Sequence, residues 1–206
     1  MATGPTGLVI LGFGGHARSV ADVALAAGIE NLRFVDPNAK PGETLAGFPV
    51  CSLLDDPVPQ GWLLFPAAGD NVLREQQIAA VADETLLHTL ISPRAYAGLS
   101  AKIGRGTLVA HQAHLGPMSI VGTGCIINTG AIVEHESTIG DYCHISVNAT
   151  IAGRSRIGKR GFVGAGATVI DGIDIGDDIT IGAGSVVVHS LREPGIYVGN
   201  PARRLR

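Results

Sequence analysis

Aliphatic side chains recur at every sixth position across residues 103–187. The series is Ile103, Val109, Leu115, Val121, Ile127, Val133, Ile139, Ile145, Ile151, Ile157, Val163, Val169, Ile175, Ile181 and Val187, without a slip. A helix repeats at 3.6 residues and a strand at 2, so a strict six marks a solenoid. Two residues before the next aliphatic sits a mostly small residue: Thr107, Ala113, Ser119, Cys125, Ala131, Ser137, Cys143, Ala149 and Ser155. Two inward residues around one outward residue is strand alternation. The residue after the aliphatic is often Gly or Asn, as at Gly104, Gly116, Gly122, Asn128, Gly140, Gly158, Gly164, Gly176 and Gly182. These are expected to supply the positive φ of a sharp corner. Three hexapeptides then make one triangular coil of about 18 residues, and about five coils fit between residues 103 and 190, stacked as parallel strands about 4.8 Å apart.

Composition narrows the use of such a coil. The chain has 206 residues, 46% hydrophobic but only 4% aromatic, which suits a narrow interior of Ile, Val and Ala. A net charge of −3 argues against non-specific nucleic-acid binding. Cys51, Cys125 and Cys143 have no metal-ligand spacing, and two of them fall on small inward positions, so packing is their expected role. Unpaired cysteines, and an N-terminus without a basic segment leading into an apolar run, point to the cytoplasm. No stretch of about 18 apolar residues is available for a membrane span. A bare scaffold, an ice-binding surface or a spacer could use the same coil, but such coils usually carry regular outward Thr ladders or lack polar decoration.

The segment before the coil reads as βαβ. Residues 8–11 form a short buried-strand pattern that runs into Gly12-Phe13-Gly14-Gly15-His16-Ala17. A helix is expected over 17–27, stopped by Gly28, and a strand over 32–35 ending at Asp36-Pro37. The turn fits the dinucleotide fingerprint G-x-G-x-x-A, yet a dinucleotide site needs two mononucleotide halves and residues 1–90 hold one. Backbone N–H groups at Gly14 and Gly15 can still cradle one phosphate group, as a nucleotide-sugar diphosphate would require. The bland alternative is a turn that only lets the helix pack. Further strands are expected at 48–51, 62–66 and 86–90, with a helix at 71–82 after a second polar turn at Gly69-Asp70. The expected division is residues 1–90, a coil at 91–192 and a closing segment at 193–206.

Val133-Glu134-His135-Glu136-Ser137 is the sharpest polar outlier. His135 falls at a corner facing out, with a carboxylate on each side. Such a carboxylate can fix the imidazole tautomer and leave the other nitrogen as a general base; a solvated corner histidine is the competing reading. His144 also points outward, half a coil on, so the two should meet only across a subunit boundary. His189 shares the His135 column but lies about 14 Å along the axis. His111 and His114 are read as non-catalytic, and no His or Cys set has metal-site spacing.

The G-x-G-G-H turn, Phe34-Val35-Asp36, Gly69-Asp70-Asn71 with Arg74, Ile91-Ser92-Pro93, Asn128-Thr129, Glu134-His135-Glu136 and Gly199-Asn200-Pro201-Ala202 together resemble the NeuD/PglD-like sugar acyltransferases over essentially the whole chain. The resemblance implies a half-Rossmann-like domain followed by a left-handed parallel β-helix. It implies acetyl-CoA as co-substrate, no metal, and a homotrimer with active sites at subunit interfaces. His135 would be the base and Glu136 its partner. His144 would contact acetyl-CoA, the Gly153 N–H would hold the thioester carbonyl, and Ala165 and Ala183 would line the CoA groove. Gly14, Gly15, His16, Asp36 and Gly69 would hold a nucleotide-linked sugar. The implied reaction is direct N-acetylation of a nucleotide-linked amino sugar, such as a 4-amino-4,6-dideoxy sugar for a surface glycan. O-acetylation of a sialic acid or another sugar hydroxyl is the alternative, and a non-catalytic nucleotide-sugar-binding protein is the third reading. Asp70, where some relatives carry Asn, and Pro37, where others carry an acid, both touch the nucleotide side.

Overall fold

The computed structural model describes residues 4–54 and 57–205; residues 1–3, 55–56 and 206, inside the expected spans, lie outside the described set. The first part of the chain runs β1 (Gly7–Leu11), α1 (Gly15–Ala26), β2 (Leu32–Val35), β3 (Thr44–Leu45), β4 (Phe48–Cys51), β5 (Trp62–Pro66) and α2 (Asn71–Ala79). The strands form one sheet in the order β3-β4-β2-β1-β5, parallel except for the β3–β4 hairpin. Gly28 follows the end of α1 with φ +86, as expected of a helix-stopping glycine.

Two expectations need correction. Helix α1 begins two residues early because Gly14, extended, already serves as its N-cap, and α2 stops at Ala79. Residues 86–90 are not a strand of this sheet. Asp83 accepts from the Thr85 N–H and caps a single 3-10 turn, Glu84–Leu86, and the segment then joins the sheet through an isolated bridge between Leu87 and Leu64. The next pair, Leu90–Ile91, is already a coil strand, bonded to Leu108–Val109.

The coil has three sheets of two- to four-residue strands. Each rung pairs residue i with i+18, as in Ile126 with His144 and Ile132 with Thr150. The architecture is therefore a parallel β-helix. Every aliphatic of the six-residue series is buried except Ile103, which is half-buried at the first rung. Inward hydroxyls and thiols bond along the axis. Thr107 Oγ1 donates to Gly122 O (2.8 Å), Ser137 Oγ to Ala152 O (3.0 Å), and Cys143 Sγ to Gly158 O (2.9 Å). Cys125 and Cys143 are packing residues of this interior. At the far end Gly195–Val198 adds a parallel strand, and Tyr197 and Ala202 join the core.

The corner glycines do a different job from the one expected. Positive φ falls three residues after the inward aliphatic, at Gln112, Met118, Gly124, Gly130, Glu136, Tyr142, Asn148, Arg154, Arg160 and Gly166 among others. The glycine directly after the aliphatic is needed for stacking instead. A Cβ on Gly104 would lie 2.5 Å from Gly122 C, and one on Gly116 would lie 2.5 Å from His135 N. At these two glycines the successive rungs come too close for a side chain.

The outward face of one coil sheet disappears under the first domain. Leu90, Leu108 and Ile126 form one apolar cluster with Val20, Ala24, Phe34 and Phe65. Arg74, on α2, is fully buried at this junction. Its Nε donates to Gly124 O (2.6 Å), Nη2 to Tyr142 O (2.9 Å) and to Asn71 Oδ1 (2.8 Å), and Nη1 to Ala68 O (2.9 Å). One guanidinium thus bonds carbonyls on both sides of the boundary.

Candidate active site

His135 sits at a coil corner, two residues past the inward Val133. Its Nδ1 is 3.1 Å from Glu136 Oε2, with the two side chains 42% and 48% exposed. A proton on Nδ1 donated to that carboxylate leaves Nε2 as the free acceptor. The other edge of the ring lies on the next rung: a Cβ on Gly153 would be 2.6 Å from both His135 Cε1 and Nε2. Only glycine lets the imidazole lie there. The Gly153 N–H has no acceptor among the described residues, while its carbonyl accepts from Gly172 N (3.0 Å). The corner thus offers a carboxylate-paired imidazole beside an unengaged backbone donor.

Gly14, Gly15, His16, Asp36 and Gly69 all line one open cleft of about 820 Å³ in the first domain. Helix α1 points its N-terminus into the cleft, and its first N–H groups have neither intrahelical partners nor a side-chain cap. Asp36 holds the glycine turn, accepting from Phe13 N (3.1 Å) on one oxygen and from Asn38 N (2.9 Å) on the other. A carboxylate used in this way shapes the cleft wall.

His144 faces out of the coil, as expected, but it faces onto the first domain. Its ring packs edge-on against Phe162 (5.1 Å between centroids) and 6.3 Å from His16, and Nε2 lies 3.1 Å from Asn128 Nδ2. Burial first, then the Arg74 guanidinium, pushes the His144 pKa down to about 4, against an opposing effect of the Gly69 backbone. Burial, His144 and Arg74 push His16 down to about 3. Both rings are neutral at neutral pH. His16 Nε2 and His144 Nδ1 are buried and make no well-formed hydrogen bond.

Ala165 and Ala183 stand one above the other on a different corner from His135, exposed, with N–H groups that have no acceptor among the described residues. One chain therefore unites His135, Glu136 and Gly153, and separately unites the cleft residues with His144 through His16. It does not bring Ala165 and Ala183 to His135. Sequence reasoning missed the parts of Arg74, Asn128 and Phe162. The signals in the sequence were the Asn128-Thr129 pair and Arg74 after Gly69-Asp70-Asn71, both read only as parts of the motif. Among the described residues no group of three or more His, Cys, Asp or Glu is placed to hold a metal ion, and no helix is long and apolar enough to cross a membrane.

Residues 7–81 match the PglD N-terminal domain, and residues 155–188 match the hexapeptide repeat of succinyl-transferase. No curated protein sequence matches the chain. Among solved structures, the acetyltransferase domain of PglB from Neisseria gonorrhoeae FA1090, in complex with acetyl coenzyme A, is 33% identical with a TM-score of 0.90, over 98% of this chain and 100% of that one. PerB from Caulobacter crescentus, in complex with CoA and GDP-perosamine, is 35% identical with a TM-score of 0.86, over 97% of both chains. A histidine-to-asparagine mutant of perosamine N-acetyltransferase from Caulobacter crescentus, with the same two ligands, is 36% identical with a TM-score of 0.88 over 97% of both chains.

A βαβ domain matching the PglD N-terminal domain, followed by a hexapeptide coil and shared with acetyl-CoA-bound relatives, defines an acyltransferase of the hexapeptide-repeat class. The chain belongs to the sugar N-acetyltransferases of the PglD/NeuD type.

Proposed function

We propose that the enzyme transfers the acetyl group of acetyl-CoA to the amine of a nucleotide-linked 4-amino-4,6-dideoxy sugar. The observation that carries this reading is the His135 ring, paired with Glu136 through Nδ1 and laid on Gly153 beside an unengaged N–H. His135 Nε2 takes the proton from the sugar amine as its nitrogen attacks the thioester carbonyl. The Gly153 N–H donates to the oxyanion that forms, a contribution of about 3 kcal/mol for one such donor. When the tetrahedral intermediate collapses, the C–S bond breaks and the imidazolium returns its proton to the CoA thiolate. The α1 N-terminus and Gly14, Gly15, His16 and Gly69 hold the diphosphate and sugar, with Asp36 shaping the wall. Ligands bound to the relatives, CoA and GDP-perosamine, support both halves.

The free N–H groups of Ala165 and Ala183 suit the amide-rich arm of CoA. Since they stand on another corner, the complete site takes His135 from one chain and the CoA groove from a neighbour in a homotrimer. His144 contacts the acetyl-CoA end. Acetyl-CoA and a nucleotide sugar as substrates support a cytoplasmic reaction. Replacing His135 by Ala is expected to lower kcat by about 10²–10⁴-fold while leaving the fold and CoA binding intact. Turnover within a few-fold of wild type would overturn the assignment.

A further inference from the structure

One ion pair at the active corner has no part in the reaction as described. Arg154 stands one rung above Glu136, at the same place in the repeat. Both have left-handed backbone, φ 57 and φ 59, and Arg154 N donates to His135 O (2.9 Å). Adjacent rungs are about 4.8 Å apart, well within the reach of an arginine side chain. The Glu136 carboxylate is therefore within reach one rung below Arg154. The guanidinium nevertheless turns upward. Its Nη2 donates to Asp171 Oδ2 (2.6 Å), and it pairs with no other carboxylate among the described residues. Asp171 completes the column His135, Gly153, Asp171, and its other oxygen lies 3.2 Å from where a Gly153 Cβ would be.

We propose that Asp171 is a positioning residue that holds the Arg154 guanidinium away from Glu136, so that the Glu136 carboxylate stays committed to His135. A bidentate-capable guanidinium is a stronger partner for a carboxylate than a neutral imidazole. If Arg154 were free, it would bond Glu136, and the imidazolium formed during the reaction would lose its counter-charge and gain a cation nearby. His135 would then be a weaker base. The charged groups around the ring are few. Glu134 accepts from the His135 N–H (3.3 Å), Glu136 takes Nδ1, and Arg154 and Asp171 stand above. The rung below offers only Pro117, whose carbonyl accepts from Glu136 N (3.1 Å), and Met118. His189 is exposed a further rung above Asp171.

The inference rests on His135 being the base. The test is the pH profile of kcat/KM for wild type, Asp171→Asn, Arg154→Gln and the double variant, with thermal unfolding of each and His135→Ala as the reference. Asp171 is a surface residue, and Asp171→Ser serves equally should the Asn variant fold poorly. Asp171→Asn is expected to lose about tenfold in kcat/KM and to move the acid limb about one pH unit lower. Arg154→Gln alone should stay within about threefold of wild type, and adding it to Asp171→Asn should restore both rate and limb. A merely structural ion pair would lower the unfolding temperature in both single variants without moving the limb. An unmoved limb in Asp171→Asn, or a double variant no better than Asp171→Asn, overturns the inference while leaving the base in place. Full turnover in His135→Ala overturns the base and the inference together.

Discussion

Arg74 shows how one side chain joins two domains through carbonyls and an amide, with no carboxylate hydrogen-bonded to it among the described residues. Its guanidinium donates to Ala68, Gly124 and Tyr142 carbonyls and to Asn71, in complete burial. The same charge helps keep His144 and His16 neutral. Removing it leaves several buried carbonyls bare, each costing about 1–3 kcal/mol. Arg74→Ala should therefore destabilise the protein by about 3 kcal/mol or more, read as a lowered urea midpoint. Arg74→Lys should recover little, since a point charge cannot serve carbonyls in several directions. A midpoint within experimental error of wild type would show that the junction does not depend on this residue. Residue-level legibility was uneven. His135 stood out because a histidine between two acids breaks a regular apolar repeat. Arg74 did not, because its partners are backbone carbonyls 50 and 68 residues away, and carbonyls have no sequence signature.

At the scale of the hexapeptide, the period was fully legible and the duty of each slot was not. The inward aliphatics and small residues fell where alternation put them. The left-handed slot did not reveal itself because the fold fills it with Gln, Met, Glu, Tyr and Arg as well as Gly. A non-glycine residue there costs on the order of 1 kcal/mol, and stacking of adjacent rungs outweighs it. The slot after the aliphatic also takes Ala110, Asn128, Glu134 and Ser146, but where it holds Gly104 or Gly116 its limit is contact with the next rung. Two substitutions separate these cases. Gly104→Ala drives a Cβ into the Gly122 backbone and should unfold the first rungs at a markedly lower temperature. Gly166→Asn, at φ +65 with open space around it, should shift unfolding by less than about 1 kcal/mol. Equal effects in a thermal melt would contradict the division of labour between the slots. The segment at 86–90 was misread at this same scale: its apolar pattern suits a strand, but an Asp83 cap and entry into the coil claim the residues first.

For the whole molecule, docking of the first domain on the coil buries His16 and His144 as neutral rings, with His88, also lowered by burial, nearby in sequence to the first coil strand. Their folded pKa values lie below the unfolded value, so the unfolded chain binds protons that the folded chain refuses. Stability is then full above about pH 6.5 and is lost as pH falls towards 4, at about 1.4 kcal/mol per pH unit for each of His16 and His144. Glu75 and Asp178, whose pKa values are lowered by Lys159 and Arg160, act in the opposite sense to any gain on acidification: their contribution is present above the ordinary carboxylate range and is lost only below it. Urea midpoints should therefore fall steadily between pH 6.5 and 5, and a flat response in that window would contradict the buried neutral pair. The two-part organisation was legible from the period change near residue 90. The histidine pair between the parts was not, because nothing in the sequence says which outward coil face the first domain covers.

Acetyl transfer to an amino sugar is the claim on which the rest depends, and thiol release from acetyl-CoA tests it most directly. The acceptors should include UDP-, GDP- and dTDP-linked 4-amino-4,6-dideoxy sugars beside free sialic acid, each with wild type and with His135→Ala. The account predicts rapid release with at least one nucleotide-linked amino sugar, collapse of that rate in His135→Ala, and no release with sialic acid. Release with sialic acid alone, or an undiminished rate in His135→Ala, would contradict it.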